Sequence, residues 1–197
     1  MNIDFIEDIM IANAVEFESV KLIEFCENQL KTFWTKGSRK QGNSKNFSER
    51  SNLELNRLER QALDSAIFDR LKQFDNNLLK VFRLAISSYK EKYRFLRVRK
   101  DRGFRLLKYE SGQEYIAHSD RGSQFLERES VIPIRQLTGI LLLNDDYKGG
   151  ELEFPGRKIV IKPEKNSIII FPASFIYSHK VNKVSKGIRY SLVTWFI

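Results

Sequence analysis

The sequence predicts a mainly-β member of the α+β class, an antiparallel double sheet with a cap of helices packed outside it. Three observations carry this. In the first 92 residues apolar side chains recur at three- and four-residue spacing. From about residue 93 the pattern becomes short strand-like runs separated by strong turn signals. Hydrophobic content of 42% and aromatic content of 12% support a packed interior across the 197 residues. Helices first and many short strands afterwards is the layout of helices segregated to one side of an antiparallel core. The expected organisation is a single domain over 1–197. Residues 1–92 form a mainly helical N-terminal support region and 93–197 the β core.

The elements follow in order. Residues 15–33 read as an amphipathic helix, with Leu22, Ile23, Cys26, Leu30 and Phe33 on one stripe. The polar run 36–52 reads as a surface loop, with a lid over a site as the alternative. Helices are expected over 60–74 and 76–92, where Leu71, Phe74, Leu78, Leu79, Phe82, Ala85 and Ile86 extend an apolar stripe. Strands are expected over 104–109, 137–143, 158–161, 167–171 and 189–196, with Gly149-Gly150 and Pro155-Gly156 as turns. No internal repeat is visible.

Composition narrows the setting. No run approaches the ~18 apolar residues of a membrane span. Asp4, Glu7 and Asp8 make the first residues unlike the basic start of a secretory signal. Cys26 is the single cysteine, so the chain holds no internal disulfide, and a reducing, cytoplasmic setting is expected. The net charge of +9 is uneven. Nine cations between Lys90 and Lys108 stand against Glu91 and Asp101, giving this stretch +7. Such a stripe attracts nucleic acid or an acidic polypeptide, although most charge runs are simply solvated faces.

The chemistry is carried by the two histidines. His118 belongs to His118-Ser119-Asp120, His179 follows much later, and Arg189 comes ten residues after His179. Residues two apart on a strand share a face, so His118 and Asp120 look the same way. Two imidazoles and a carboxylate can occupy one face of an octahedral Fe(II) and leave the other open. An arginine in the same pocket can hold the far carboxylate of a 2-oxo acid by a two-point contact. If Arg189 points inward, so do Ser191, Val193 and Trp195, giving one pocket wall a polar end and an apolar end. Taken alone, the pair is equally compatible with two unrelated histidines.

The surrounding segments weigh against that bland reading. Tyr109 through Tyr115 to His118-Ser119-Asp120, the run Arg135 to Asn144, and Gly149-Gly150-Glu151-Leu152-Glu153-Phe154 appear in order. Pro163 to Phe171 and His179 through Arg189 to Trp195 follow. Together they resemble the 2-oxoglutarate/Fe(II)-dependent dioxygenases of the prolyl 4-hydroxylase-like branch, over roughly residues 104–197. The resemblance implies a double-stranded β-helix, a jelly roll with helices outside. It implies Fe(II) on His118, Asp120 and His179, and 2-oxoglutarate on Arg189, with Tyr109, Thr138 and Ser191 in the co-substrate pocket. O2 is the second co-substrate and ascorbate the reductant. Tyr115, Trp195 and Phe125, the last in the 121–134 loop, are expected near the substrate.

Two departures from the family pattern stand out. Leu142 occupies a position where many relatives carry a tyrosine, and Asn166 replaces a turn glycine, a substitution asparagine tolerates. The implied activity is hydroxylation of a C–H bond, first of a prolyl residue in a peptide or protein. A free amino acid or other small molecule is the alternative. Nucleic acid is less favoured, because the dealkylating branch carries a second arginine where this chain has Trp195. The intact His118, Asp120, His179 and Arg189 argue against a metal-free jelly-roll binding module, and a zinc hydrolase would not explain Arg189 or Tyr109.

Overall fold

Two hydrophobic cores lie on opposite faces of one large antiparallel sheet. The computed structural model describes residues 2–13, 15–40, 47–55, 63–121 and 134–197. Within them, the large sheet runs β1 (Asn2–Ile6), β2 (Ile9–Asn13), β11 (Ile168–Pro172), β7 (Leu137–Leu142), β14 (Arg189–Phe196), β5 (Arg105–Tyr109), β4 (Phe47–Glu54) and β3 (Thr35–Lys40) in spatial order. A smaller sheet runs β10 (Ile159–Ile161), β9 (Leu152–Phe154), β12 (His179–Val181) and β6 (Tyr115–His118). A short pair, β8 (Lys148–Gly149) with β13 (Val184–Lys186), completes the strands among the described residues.

Strand alternation sorts side chains between the two cores. Leu107, Tyr109, Ile140, Leu142, Ile169, Phe171, Val193 and Trp195 of the large sheet pack against Tyr115, Leu152, Phe154 and Val181 of the smaller one. Their neighbours in sequence, Leu106, Leu141, Ile168, Ile170, Tyr190, Leu192 and Phe196, face the other way. There they meet α1 (Ser19–Gln29) through Leu22 and Cys26, and α2 (Ser65–Lys92) through Leu71, Phe74, Leu78, Phe82 and Ala85. β14 is buried at all eight positions because both faces are covered. No helix here is long and apolar enough to cross a membrane.

The C-terminal strands lie within a residue or so of their predicted bounds, whereas the N-terminal half differs in three ways. The helices expected over 60–74 and 76–92 are one helix, α2. It starts at Asp64, whose side chain accepts from the Ala66 N–H at 2.8 Å. Nothing between residues 74 and 76 breaks a helix, and the apolar stripe passes through from Phe74 to Leu78. The supposed loop 36–52 contains β3 and β4, paired antiparallel, with 41–46 outside the described residues. Finally, residues 1–92 are more than a helical support. β2 pairs with β11 and β4 with β5, so N-terminal strands extend the large sheet at both edges.

Asn166 adopts φ +59°, the left-handed conformation its glycine-like position requires. Its side chain accepts from the Ser19 hydroxyl and donates to the Phe17 carbonyl, tying the turn to the start of α1.

Candidate metal centre and oxo-acid pocket

Antiparallel pairing of β12 with β6 makes His179 and His118 direct cross-strand partners. Their ring centroids are 4.4 Å apart. Asp120 follows β6 by two residues and sets its carboxylate between them. His118 Nε2 lies 3.4 Å from Oδ1, and His179 Nε2 lies 3.5 Å from Oδ2. One ligand atom from each residue falls within 4.8 Å of the others. The far ring nitrogens face backbone carbonyls, His118 Nδ1 that of Ile116 at 3.0 Å and His179 Nδ1 that of Tyr177 at 3.2 Å. A proton on each Nδ1 leaves both Nε2 lone pairs aimed at one point.

Protonation suits a cation there. Burial pushes His179 down to about 4, against the opposing pull of Asp120. Burial also works against the Asp120 charge, but His179, His118 and the Thr138 hydroxyl outweigh it and hold the carboxyl well below its usual range. An ionised Asp120 beside a His179 whose protonation burial disfavours suits the binding of a divalent metal.

The far end of the pocket is cationic. Arg189 is 1% exposed and donates to Ser191 Oγ at 2.7 Å, while its Nε has no partner. Among the described residues no carboxylate pairs with it. A buried guanidinium without a counter-anion is costly, and a bound carboxylate removes that cost. Gly150, at φ +68°, makes room for it, since a Cβ there would come within 2.8 Å of Arg189 Cδ. Arg189, Ser191, Val193 and Trp195 all line the same cavity, together with His118, Asp120, His179, Leu107, Tyr109, Ile140 and Arg50. The cavity is about 40 Å³.

The profile of the 2OG-Fe(II) oxygenase superfamily matches residues 104–197. The match covers just under half of the chain. Similar proteins include a PKHD-type hydroxylase of Synechococcus sp. (strain JA-2-3B'a(2-13)), 32% identical over 89 residues, 44% of this chain and 39% of the relative. Another is a PKHD-type hydroxylase of Gloeothece citriformis (strain PCC 7424), 34% identical over 105 residues, 51% of this chain and 44% of the relative. The chain thus spans about two fifths of the curated relatives it matches. Similar solved structures include the viral collagen prolyl hydroxylase vCPH from Paramecium Bursaria Chlorella virus-1 in its 2OG complex. It has TM-score 0.61 and 15% identity over 96% of this chain and 95% of that one. The prolyl hydroxylase from Trichoplax adhaerens, in complex with a hypoxia inducible factor peptide fragment, has TM-score 0.66 and 17% identity over 96% and 83%. The fold shared with these oxygenases is the double-stranded β-helix.

Within this oxygenase fold, the residues expected at the site are distributed as follows. His118, Asp120, His179, Arg189, Tyr109, Ser191 and Trp195 converge on one cavity. Tyr115 packs edge-on against His118, ring centroids 4.9 Å apart. Thr138 differs from its expected role: its hydroxyl donates to Asp120 Oδ2 at 2.7 Å. It is Trp195's cross-strand partner, at the opposite end of β14 from Arg189, so it steadies the carboxylate instead of reaching an oxo acid. Phe125 lies outside the described residues.

Two arginines escaped the sequence reading. Arg50 of β4 lies over the Tyr115 ring at 3.8 Å and donates to Tyr109 Oη at 3.1 Å. Strand parity with Asn52 was its only signal, hidden because β4 is polar enough to pass for a loop. Arg135 donates to the Asp120 carbonyl at 3.1 Å and covers the Trp195 ring at 3.9 Å. Burial lowers its pKa, and Arg102 and Arg105 lower it further against the opposing pull of Asp120.

Proposed function

We propose that the protein is a 2-oxoglutarate- and Fe(II)-dependent dioxygenase that hydroxylates a prolyl residue in a peptide or protein. The observation that carries this is a His118–Asp120–His179 convergence in one cavity with a buried Arg189 that pairs with no carboxylate among the described residues. Zinc hydrolysis would use the first and leave the second without a purpose. The hydroxylase name of the curated relatives and the prolyl hydroxylase names of two similar structures support this choice. A free amino acid is the competing substrate within the same chemistry. The buried thiol of Cys26 is compatible with a reducing, cytoplasmic setting in which ascorbate or another reductant sustains ferrous iron.

In this reading His118, Asp120 and His179 hold Fe(II), and Arg189 takes the distal carboxylate of 2-oxoglutarate with Ser191 steering its guanidinium. The iron supplies O2 activation coupled to conversion of 2-oxoglutarate to succinate and CO2. Thr138 and the two carbonyl-bound Nδ1 atoms keep the donor atoms in register. Trp195 and Val193 make the apolar end of the wall and exclude water beside the metal-facing side chains.

The exposed cations Arg94, Arg97, Arg99, Lys100 and Arg102 form no ion pair among the described residues. Their segment is stitched to the end of β14 by Arg99 N–H to the Ile197 carbonyl and Arg102 N–H to the Trp195 carbonyl. This border of positive charge favours peptides with acidic residues flanking the proline.

The test is incubation of proline-containing peptides with Fe(II), 2-oxoglutarate, ascorbate and O2, followed by mass spectrometry and succinate measurement. A peptide heavier by one oxygen atom on proline, with matching succinate, is expected. Metal-dependent succinate without any peptide product moves the substrate to a small molecule. No succinate under any condition defeats the reading.

A further inference from the structure

A row of side chains crosses four strands toward the cavity. Gly37 of β3 is paired with Arg50 of β4, and Tyr109 of β5 with Arg189 of β14. The β4–β5 register runs Ser51↔Lys108 and Asn52↔Leu107, and one step further sets Arg50 beside Tyr109. Tyr109 therefore lies between two guanidiniums. Arg50 donates to its oxygen at 3.1 Å, and Arg189 lies 5.5 Å from its ring centroid. The Tyr109 side chain is fully buried, and its own hydroxyl proton has no acceptor among the described residues.

Arg50 is itself held. Its Nε donates to Asn52 Oδ1 at 2.8 Å, and its guanidinium plane covers the Tyr115 ring. Asn52 in turn fills space that only a glycine leaves open, because a Cβ on Gly37 would lie 2.0 Å from Asn52 Nδ2. Gly37, Asn52, Arg50 and Tyr109 thus form a relay from the sheet edge into the cavity.

We propose that Arg50 is a positioning residue for the co-substrate. By donating to the Tyr109 oxygen it fixes that phenol as a hydrogen-bond donor, so that the free proton meets an oxygen of the bound 2-oxo dicarboxylate. The β3–β4 strand pair then contributes to co-substrate affinity without touching the metal. This rests on the oxygenase reading above. Lysine cannot replace Arg50, since a point charge does not reproduce one planar group that reaches Asn52, stacks on Tyr115 and donates to Tyr109 together.

The test is anaerobic calorimetric titration of 2-oxoglutarate into full-length protein loaded with Mn(II), a redox-quiet probe of an octahedral site. Arg50→Ala should weaken 2-oxoglutarate by roughly tenfold, the worth of one charge-assisted hydrogen bond. Mn(II) affinity should stay near wild type, which a general loss of structure around the site would not allow. Arg50→Lys should fail to restore binding. Because Arg50 acts through the phenol, Arg50→Ala combined with Tyr109→Phe should bind no more weakly than Tyr109→Phe alone. Asn52→Ala, outside the cavity, should give a smaller loss in the same direction and serves if Arg50→Ala does not fold.

Unchanged binding in Arg50→Ala overturns the proposal. Tighter binding also overturns it, by making Arg50 a plug of the narrow cavity. Additive losses in the double variant overturn the route through Tyr109. A wild-type protein that takes Mn(II) but no 2-oxoglutarate overturns the oxygenase reading as well, which separates the two failures.

Discussion

At the scale of single residues the site divides into groups that face the metal point and groups that hold them there. The first kind was legible in the sequence, because a chain with two histidines, one of them in His-x-Asp, offers few other donor sets. The second kind was not. Thr138 reads from its strand as another pocket residue, and only the fold reveals that Asp120 takes its hydroxyl. Its substitution is informative for that reason. Thr138→Val keeps the shape and removes the donor, and metal affinity should fall by about 10–100-fold, the usual effect of losing a group that orients a ligand. Metal titration followed by calorimetry checks this, and affinity within twofold of wild type would refute the role. Arg189→Ala should act at the opposite end. It should leave metal uptake intact and weaken 2-oxoglutarate by at least tenfold, since charged hydrogen bonds are worth about 1.5–3 kcal/mol each.

At the scale of elements, legibility followed hydrophobic pattern. β7, β11 and β14 are apolar runs bounded by turns and were read to within a residue or so. β3 and β4 carry few apolar side chains because they lie at a sheet edge, so their period-two signal is weak. The turn between β1 and β2 was equally silent, yet it anchors three elements. Asp8 accepts from Tyr93 at the end of α2 at 2.5 Å and from Tyr177, just before β12, at 2.6 Å. The Tyr89 hydroxyl donates to its backbone carbonyl at 2.8 Å. The hydrogen bonds from Tyr177 and Tyr93 hold the Asp8 carboxyl below its ordinary 3.8. A carboxyl depressed in the folded state stabilises it above the ordinary value, and that stability disappears as pH falls through the folded one. Asp8→Asn should therefore cost about 1–2 kcal/mol at neutral pH. The difference should shrink as both proteins are taken below about pH 4. Urea unfolding at pH 7 and pH 3 measures it, and an equal cost at both would exclude the carboxylate as the source.

At the scale of the whole molecule, the matched half of the chain is not a free-standing half of the structure. Residues 1–92 supply both edges of the large sheet and both α-helices of the described residues. The region expected to support the core is therefore woven into it. A fragment of residues 93–197 would expose two sheet edges and the apolar face now under α1 and α2. It should show no cooperative thermal transition, which scanning calorimetry would detect, and a fragment melting as sharply as the full chain would contradict this. The double burial of β14 has a further consequence, for how such a protein tolerates change. Arg189, Ser191, Val193 and Trp195 line the cavity on one side, while Tyr190, Leu192 and Phe196 hold the helices on the other. Saturation mutagenesis along this strand should alternate residue by residue between variants that are abundant but inert and variants that never accumulate. Selection can thus retune the reaction and the durability of the scaffold on a single stretch of eight residues.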